Sequence, residues 1–271
     1  DSSFPLTYAE KGLLQVKLHG PGWDDLPLQA GQALNVVPDK ATYAGHRLEE
    51  LLPVLDQSGV QCSQTEDSVT VLGVSKHSKD AAEGVNAIVG LAESLSLIQP
   101  HPALLFIADA VGEDATGEAL FGRITDEPSG DLSFNLATLV IDQEQSEIGI
   151  DIRIPVLADK NALVARLQEI AASYQLEYEE FDYLAPLYVP LDSPLVSSLM
   201  AVYQEETGDM TPAMSSGGAT FARTMGNCVA FGALFPGAEQ TEHQANERAK
   251  IDDLYAAMEI YREAIQRLAT T

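Results

Sequence analysis

Glu147-Ile148-Gly149-Ile150-Asp151-Ile152-Arg153-Ile154 alternates without a break: every second residue is isoleucine, and those between are glycine or charged. A period of two sends the four isoleucines to one face of a strand and Glu147, Asp151 and Arg153 to the other. That is the pattern of a sheet with one face on a core, and it favours antiparallel pairing. The preceding run, Leu132–Ile141, is the natural partner across a short polar turn. Downstream, Leu163, Val164, Leu167, Ile170 and Ala171 share one face of a helix over Asn161–Tyr174, and Leu176–Phe181 returns as a strand.

Upstream the grammar is similar. Leu14, Val16 and Leu18 alternate with Gln15 and Lys17 in a strand over Gly12–Leu18, closed by the turn Gly20-Pro21-Gly22. The apolar run Gly31–Val37 ends at Pro38-Asp39. Leu48, Leu51, Leu52 and Leu55 fall at helical spacing, and Ser58-Gly59 stops that helix. Val69–Val74 is short and β-branched, hence a strand. Val85, Ile88, Val89, Leu91, Ala92 and Leu95 give a helix over Ala82–Ile98 that Pro100 ends, and Leu104–Val111 reads as another. Strand, helix, strand with antiparallel pairing thus occurs in 60–110 and again in 132–181. The reading is an α+β module with its helices on one face of the sheet, and the repeated order raises a duplication.

After Pro186 and Pro190 the pattern changes. Val196–Glu206 is helical, Gly217-Gly218 opens a further helix, 228–235 reads as a buried strand, and Ile251–Ala269 is a closing helix. This is α/β grammar, and the composition break near 184–192 is a domain boundary.

The chain has 271 residues, 45% of them apolar, so it can bury one large core or two smaller ones. Its net charge of −26 repels phosphate backbones and anionic lipid, which argues against nucleic acid or a membrane as partner. No apolar run approaches the ~18 residues of a spanning helix. Cys62 and Cys228 lack any CxxC pattern, suit a reducing cytoplasm, and read as core packing rather than chemistry. Asp1-Ser2-Ser3-Phe4-Pro5 carries neither an initiator Met nor a signal segment, so the sequence reads as starting in mid-domain.

The five histidines, His19, His46, His77, His101 and His243, form no HExxH or Cys/His cluster. On spacing alone each is better read as a loop or turn residue than as a ligand. His243 follows the polar loop opened by Pro236-Gly237, where a neutral imidazole can bind a metal if carboxylates converge on it. His77 lies between a strand and a helix, where an imidazole could donate to a developing oxyanion. Arg153, on the face opposite the isoleucines, is either a salt-bridge residue or a bidentate clamp for a carboxylate. Gly217-Gly218 lacks the lysine of a P-loop, but two glycines still let a backbone approach a ligand closely.

Several of these segments fall in a familiar order. Asp1-Ser2-Ser3-Phe4-Pro5 with Glu10-Lys11-Gly12, Ala33-Leu34-Asn35-Val36-Val37-Pro38, Gly73 to His77-Ser78 and Gly84-Val85-Asn86-Ala87, Ile152-Arg153, Gly217 to Arg223, and Pro236-Gly237 to His243-Gln244-Ala245-Asn246-Glu247 resemble the M20 metallopeptidases. The nearest likeness is to bacterial dipeptidases of the PepV (Xaa-His, carnosinase-like) type, and it runs essentially the whole length. The resemblance implies part of a zinc-peptidase α/β catalytic domain (residues 1–11 and 186–271) with an inserted ferredoxin-like lid (residues 12–185). It implies two zinc ions per intact enzyme, with cobalt or manganese as alternatives, and a dipeptide substrate with a free N-terminus.

Residue by residue, the resemblance makes Asp1 and His243 metal ligands and His77 the lid histidine that stabilises the tetrahedral intermediate. Asn35 and Arg153 become substrate-holding residues, Arg153 for the terminal carboxylate. Gly217 and Gly218 line the substrate pocket, although Ala219 stands where a third glycine is common. The family's His-x-Asp pair is absent, and Glu49-Glu50 and Glu179-Glu180 stand in the lid portion rather than where its Glu-Glu pair belongs. The missing N-terminal part of the same enzyme is therefore an expected partner, and the chain alone is expected to be inactive. Two alternatives remain, a deacylase or desuccinylase of the same family and a non-catalytic binding or association module; pairing of the lid into a homodimer is a further expectation.

Overall fold

In a computed structural model the described residues are 3–239, 241 and 245–270. The chain divides into two compact units, Gly12–Leu184 and Asp1–Lys11 with Ala185–Thr271.

The larger unit is built on a five-stranded, wholly antiparallel sheet in the order Glu177–Leu184, Gly12–Pro21, Gln145–Ile154, Ser133–Ile141, Leu28–Ala30. The isoleucine strand is central, and Ile148, Ile150, Ile152 and Ile154 are all buried. Their neighbours in register are Leu18, Val16 and Leu14 on one side and Leu139, Leu136 and Phe134 on the other. These side chains share one core with the helices Leu48–Ser58, Ala87–Ser96, Pro102–Leu105 and Lys160–Ser173. Each fully buried residue of this size is worth about 1.5–3 kcal/mol of transfer free energy, so this face fixes the register. A second, three-stranded sheet (Lys40–Tyr43, Val69–Leu72, Cys62–Gln64) completes the unit.

Local chemistry explains the helix ends. Asn86 Oδ1 accepts from the amides of Ile88 and Val89 at 3.0 and 3.3 Å, and Asp159 Oδ1 accepts from Asn161 and Ala162 at 2.9 and 3.3 Å. Gly59, at φ 73°, ends the Leu48–Ser58 helix in the left-handed region.

Two expectations for this unit are corrected, for the Ala82–Ile98 helix and for Cys62. The helix expected over Ala82–Ile98 runs only from Ala87 to Ser96. A 3-10 turn, Ser78–Glu83, precedes it, and extended backbone at Gly84 separates the two, with Val85 bridged to Val74. The apolar run Gly31–Val37 forms a turn, bridged from Val36 to His77. Its glycine is obligatory: Gly31 has φ 78°, and a Cβ there would lie 2.0 Å from the Ala137 carbonyl oxygen. Cys62 is exposed rather than packed in the core.

The smaller unit centres on Thr7–Glu10, flanked by Leu187–Tyr188 (antiparallel) and Met214–Ser216 (parallel). Two helices, Pro194–Thr207 and Ile251–Ala269, pack against each other. Ser193 caps the first, Pro194 begins it, and Gly208 at φ 69° ends it. Phe4, 1% exposed, lies among the rings of Tyr203, Phe231, Phe235 and Tyr261 at 4.7–5.9 Å between centroids. Residues 228–235, expected as a buried strand, pair only through isolated bridges at Ala230 and Leu234. Gly217-Gly218 does not open a helix; the 3-10 turn here is Phe221–Thr224.

Candidate functional site

The sheet face opposite the isoleucines carries a polar row through the centre of the larger unit. Gln15, Asp151 and Asn135 are opposite one another on three adjacent strands, and Ser133 is opposite Arg153. Asp151 is fully buried and Arg153 is 3% exposed. Arg153 Nε donates to Asp151 Oδ1 at 2.6 Å, and its Nη2 donates to Asp151 Oδ2 at 3.0 Å. Gln15 Nε2 donates to the same Oδ2 at 3.1 Å. A guanidinium and a carboxylate can share a dry interior only with this fork geometry and added donors.

The Ser78–Glu83 turn and the Leu34–Val36 turn lie over this row. Arg153 Nη2 donates to Ser78 Oγ at 2.9 Å, and Ser133 Oγ donates to the Ser78 carbonyl at 2.5 Å. The Ser78 amide donates to the Asn35 carbonyl at 2.9 Å. Asn135 Nδ2 donates at 3.0 Å to the carbonyls of both Leu34 and Val36, the residues either side of Asn35. Asn35, His77 and Arg153, far apart in sequence, are thus gathered around one buried serine.

The His77 ring is exposed and caps the turn, Nδ1 accepting from the Lys79 amide at 3.2 Å. With Nδ1 an acceptor, a neutral ring carries its proton on Nε2. Partial desolvation, then the Arg153 guanidinium and the Lys79 ammonium, holds its pKa below the ordinary value, while Asp151 and Asp80 pull the other way. A neutral imidazole whose Nε2 has no hydrogen-bond partner among the described residues can hydrogen-bond an oxyanion.

His101 and His19 have structural roles. His101 is 1% exposed, accepts from the Ala103 amide at 3.2 Å, and has Nε2 3.0 Å from the Pro21 carbonyl. His19 Nε2 lies 2.7 Å from a Glu179 carboxylate oxygen.

In the smaller unit, Gly217-Gly218 follows the Met214–Ser216 strand. Glu10, fully buried, accepts from Arg223 Nε at 2.7 Å, from the Thr220 amide at 3.0 Å and from Thr220 Oγ1 at 2.5 Å. Arg223 Nη2 donates to the carbonyls of Lys11 (2.5 Å) and Gly218 (2.8 Å). The Gly218 amide donates to Ser216 Oγ at 3.0 Å. An ion pair from the strand end therefore sets the backbone path of this loop.

Asp1 and His243 lie outside the described residues. Among the described residues no group of three or more His, Cys, Asp or Glu is gathered as a metal would need. Those residues do not by themselves make a metal centre.

Ser78, Asp151, Asn135, Glu10 and Arg223 organise these sites, yet spacing assigned them no role. Asp151 and Asn135 could have been flagged as polar residues in two runs otherwise dense in buried apolar positions. Ser78 gave no such signal.

The model of peptidase family M20/M25/M40 matches residues 77–267. The chain belongs to this family. Among curated M20 relatives, a Bacillus subtilis (strain 168) protein named "Putative dipeptidase YtjP" is 32% identical over 99% of this chain and 62% of its own length. A Staphylococcus aureus (strain MW2) protein named "Putative dipeptidase MW1694" is 31% identical over the same shares, 99% and 62%. The solved structure of the di-peptidase Dug1p from Saccharomyces cerevisiae covers 100% of this chain and 57% of its own, with TM-score 0.50 and 12% identity, a likeness of fold. This M20 chain therefore spans about 62% of the length of the curated relatives it matches. Among its described residues, no helix is long and apolar enough to cross a membrane.

Proposed function

We propose that this chain supplies the substrate-holding lid and part of the metal-binding domain of a zinc-dependent dipeptidase that acts on substrates with a free N-terminus. Residues 12–185 are the lid, and 1–11 with 186–271 belong to the catalytic domain. The observation that carries the reading is the gathering of Asn35, His77 and Arg153 around Ser78. Relatives 31–32% identical that are named as dipeptidases support the substrate class.

In this reading the neutral His77 ring donates to the oxyanion of the tetrahedral intermediate, a contact worth a few kcal/mol in a water-excluded site, about 2.7–4 kcal/mol for one such donor. Asn35 and Arg153 are the substrate-holding residues of the lid, Arg153 with the side of its guanidinium turned away from the Nε–Nη2 edge that Asp151 takes; Gly217-Gly218 is a pocket-lining loop of the catalytic-domain part. Asp1 and His243 would hold metal, and the other ligands and the general base come from polypeptide outside this sequence, which contains no His-x-Asp. The chain alone is then inactive and binds zinc weakly.

Dipeptide turnover and zinc stoichiometry test this, measured on the 271-residue chain and on the enzyme with the further length its relatives have. The expected result is no turnover by the first and hydrolysis of dipeptides in preference to N-acyl amino acids by the second. Full activity of the chain alone overturns the division of labour. A preference for N-acyl amino acids overturns the substrate class.

A further inference from the structure

Ser78 occupies the first position of the Ser78–Glu83 turn, directly after the His77 cap, and none of it is exposed. Its amide and carbonyl would be available from any residue, and they are taken by the Asn35 carbonyl and by Ser133 Oγ. Only serine or threonine adds a hydroxyl oxygen, and that oxygen accepts from Arg153 Nη2 at 2.9 Å. Asp151 engages the same guanidinium along its Nε–Nη2 edge, at 2.6 and 3.0 Å. Both hydrogens of Nη2 are thereby directed, one to Asp151 and one to Ser78. The Ser78 contact comes from a different segment of chain than Asp151 and adds a constraint on the plane of the fork.

We propose that Ser78 is a positioning residue: its buried hydroxyl locks the Arg153 guanidinium, while its backbone fixes the Asn35 turn and the His77 ring, so that all three keep one relative geometry. The consequence for catalysis rests on the dipeptidase reading; the tie itself does not. Because a misplacement of about 1 Å can cost on the order of 100-fold in rate, the tie is as consequential as a direct contact. Threonine keeps the hydroxyl acceptor, and alanine removes it. Alanine leaves one buried Nη2 hydrogen without an acceptor.

The test reads the His77 ring by NMR in the 271-residue chain, comparing S78A, S78T and S78C. The charged groups that face this ring are Arg153, Lys79, Asp151 and Asp80. With the guanidinium unlocked in S78A, its charge moves off the ring and the His77 titration midpoint rises towards the ordinary histidine value. In S78T the midpoint stays. In a D151N/R153Q background, which has no guanidinium to lock, S78A adds no further shift. Should S78A not fold, S78C keeps the volume with a weak acceptor and carries the same comparison. An unchanged midpoint in a folded S78A or S78C chain overturns the proposal, as does an equal shift in the D151N/R153Q background.

A second measurement separates the tie from the function. In the longer enzyme S78A is expected to lower dipeptide kcat/KM by about 100-fold, with S78T restoring most of it. Absence of dipeptide turnover in the unmutated enzyme, with the midpoint still moved, sinks the dipeptidase reading and leaves the tie. Normal turnover in S78A with an unmoved midpoint sinks the tie and leaves the reading.

Discussion

Arg153 and Asp151 stand two residues apart on one strand, and their side chains meet in a fork of 2.6 and 3.0 Å with 3% and 0% of each exposed. Removing one partner strands a buried charge, which costs about 3–5 kcal/mol, whereas removing both costs much less. Asp151→Ala and Arg153→Ala should each lower the urea midpoint sharply, and a double replacement by apolar residues should recover most of the loss. Fluorescence of Trp23, the single tryptophan, which lies in the same unit, is the readout.

Glu10 and Arg223 form a second buried pair, and its purpose is the loop path. Arg223→Lys keeps the charge but not the planar fork that reaches the Lys11 and Gly218 carbonyls. The amides of Gly218 and Thr220 should then exchange with solvent about tenfold faster or more, a local loss of about 1.4 kcal/mol. Exchange on the Gly12–Leu184 unit should be unchanged.

Trp23 and His101 rings lie 5.7 Å apart. Burial pushes the His101 pKa down, opposed by its bond to the Pro21 carbonyl. The unfolded chain therefore binds the proton at higher pH than the folded one does. The neutral ring's contribution is complete above about pH 6.5 and is lost as pH falls through the depressed folded value. His77 acts with the same sign. Urea stability should decline below about pH 6.5, and Trp23 emission should titrate with a midpoint under that value. In His101→Asn, which retains a capping oxygen, the emission change should vanish.

Asn135 holds the Leu34 and Val36 carbonyls with one amide group and is opposite Asp151 in register. Asn135→Ala leaves both carbonyls wanting a donor and should cost about 1–3 kcal/mol. Asn135→Asp should cost more at neutral pH, because a second carboxylate is set beside a buried one. Its penalty should shrink towards pH 4–5 as the new acid takes a proton, a sign opposite to that of the unmutated chain over the same range.

The elements of the larger unit were legible because their apolar periods are nearly unbroken: the isoleucine alternation, the Leu132–Ile141 partner and the Lys160–Ser173 helix all follow from side chains that must leave water. The misreadings share a cause. Residues 228–235 are an apolar run with the composition of a strand, but hydrogen bonding from elsewhere in the unit, single bridges to Ser3 and Thr7, decides that backbone. At Ala82–Ile98 helical periodicity ran through Gly84, where an extended residue breaks it.

Sequence alone determined that the larger unit is an antiparallel sheet with one apolar face and that the chain bears the marks of the M20 family, because periodicity and motif order are local properties. Which polar residues of the other face meet was decided only by tertiary structure. Strand register brings Ser133 to Arg153 and Asn135 to Asp151, and two turns from other parts of the chain bring His77 and Asn35 to Ser78. No spacing rule encodes a contact between segments dozens of residues apart; apart from Asn135 Oδ1, the side chains of this row are paired, because leaving a polar group unpaired in a dry interior costs more than ordering the chain around it.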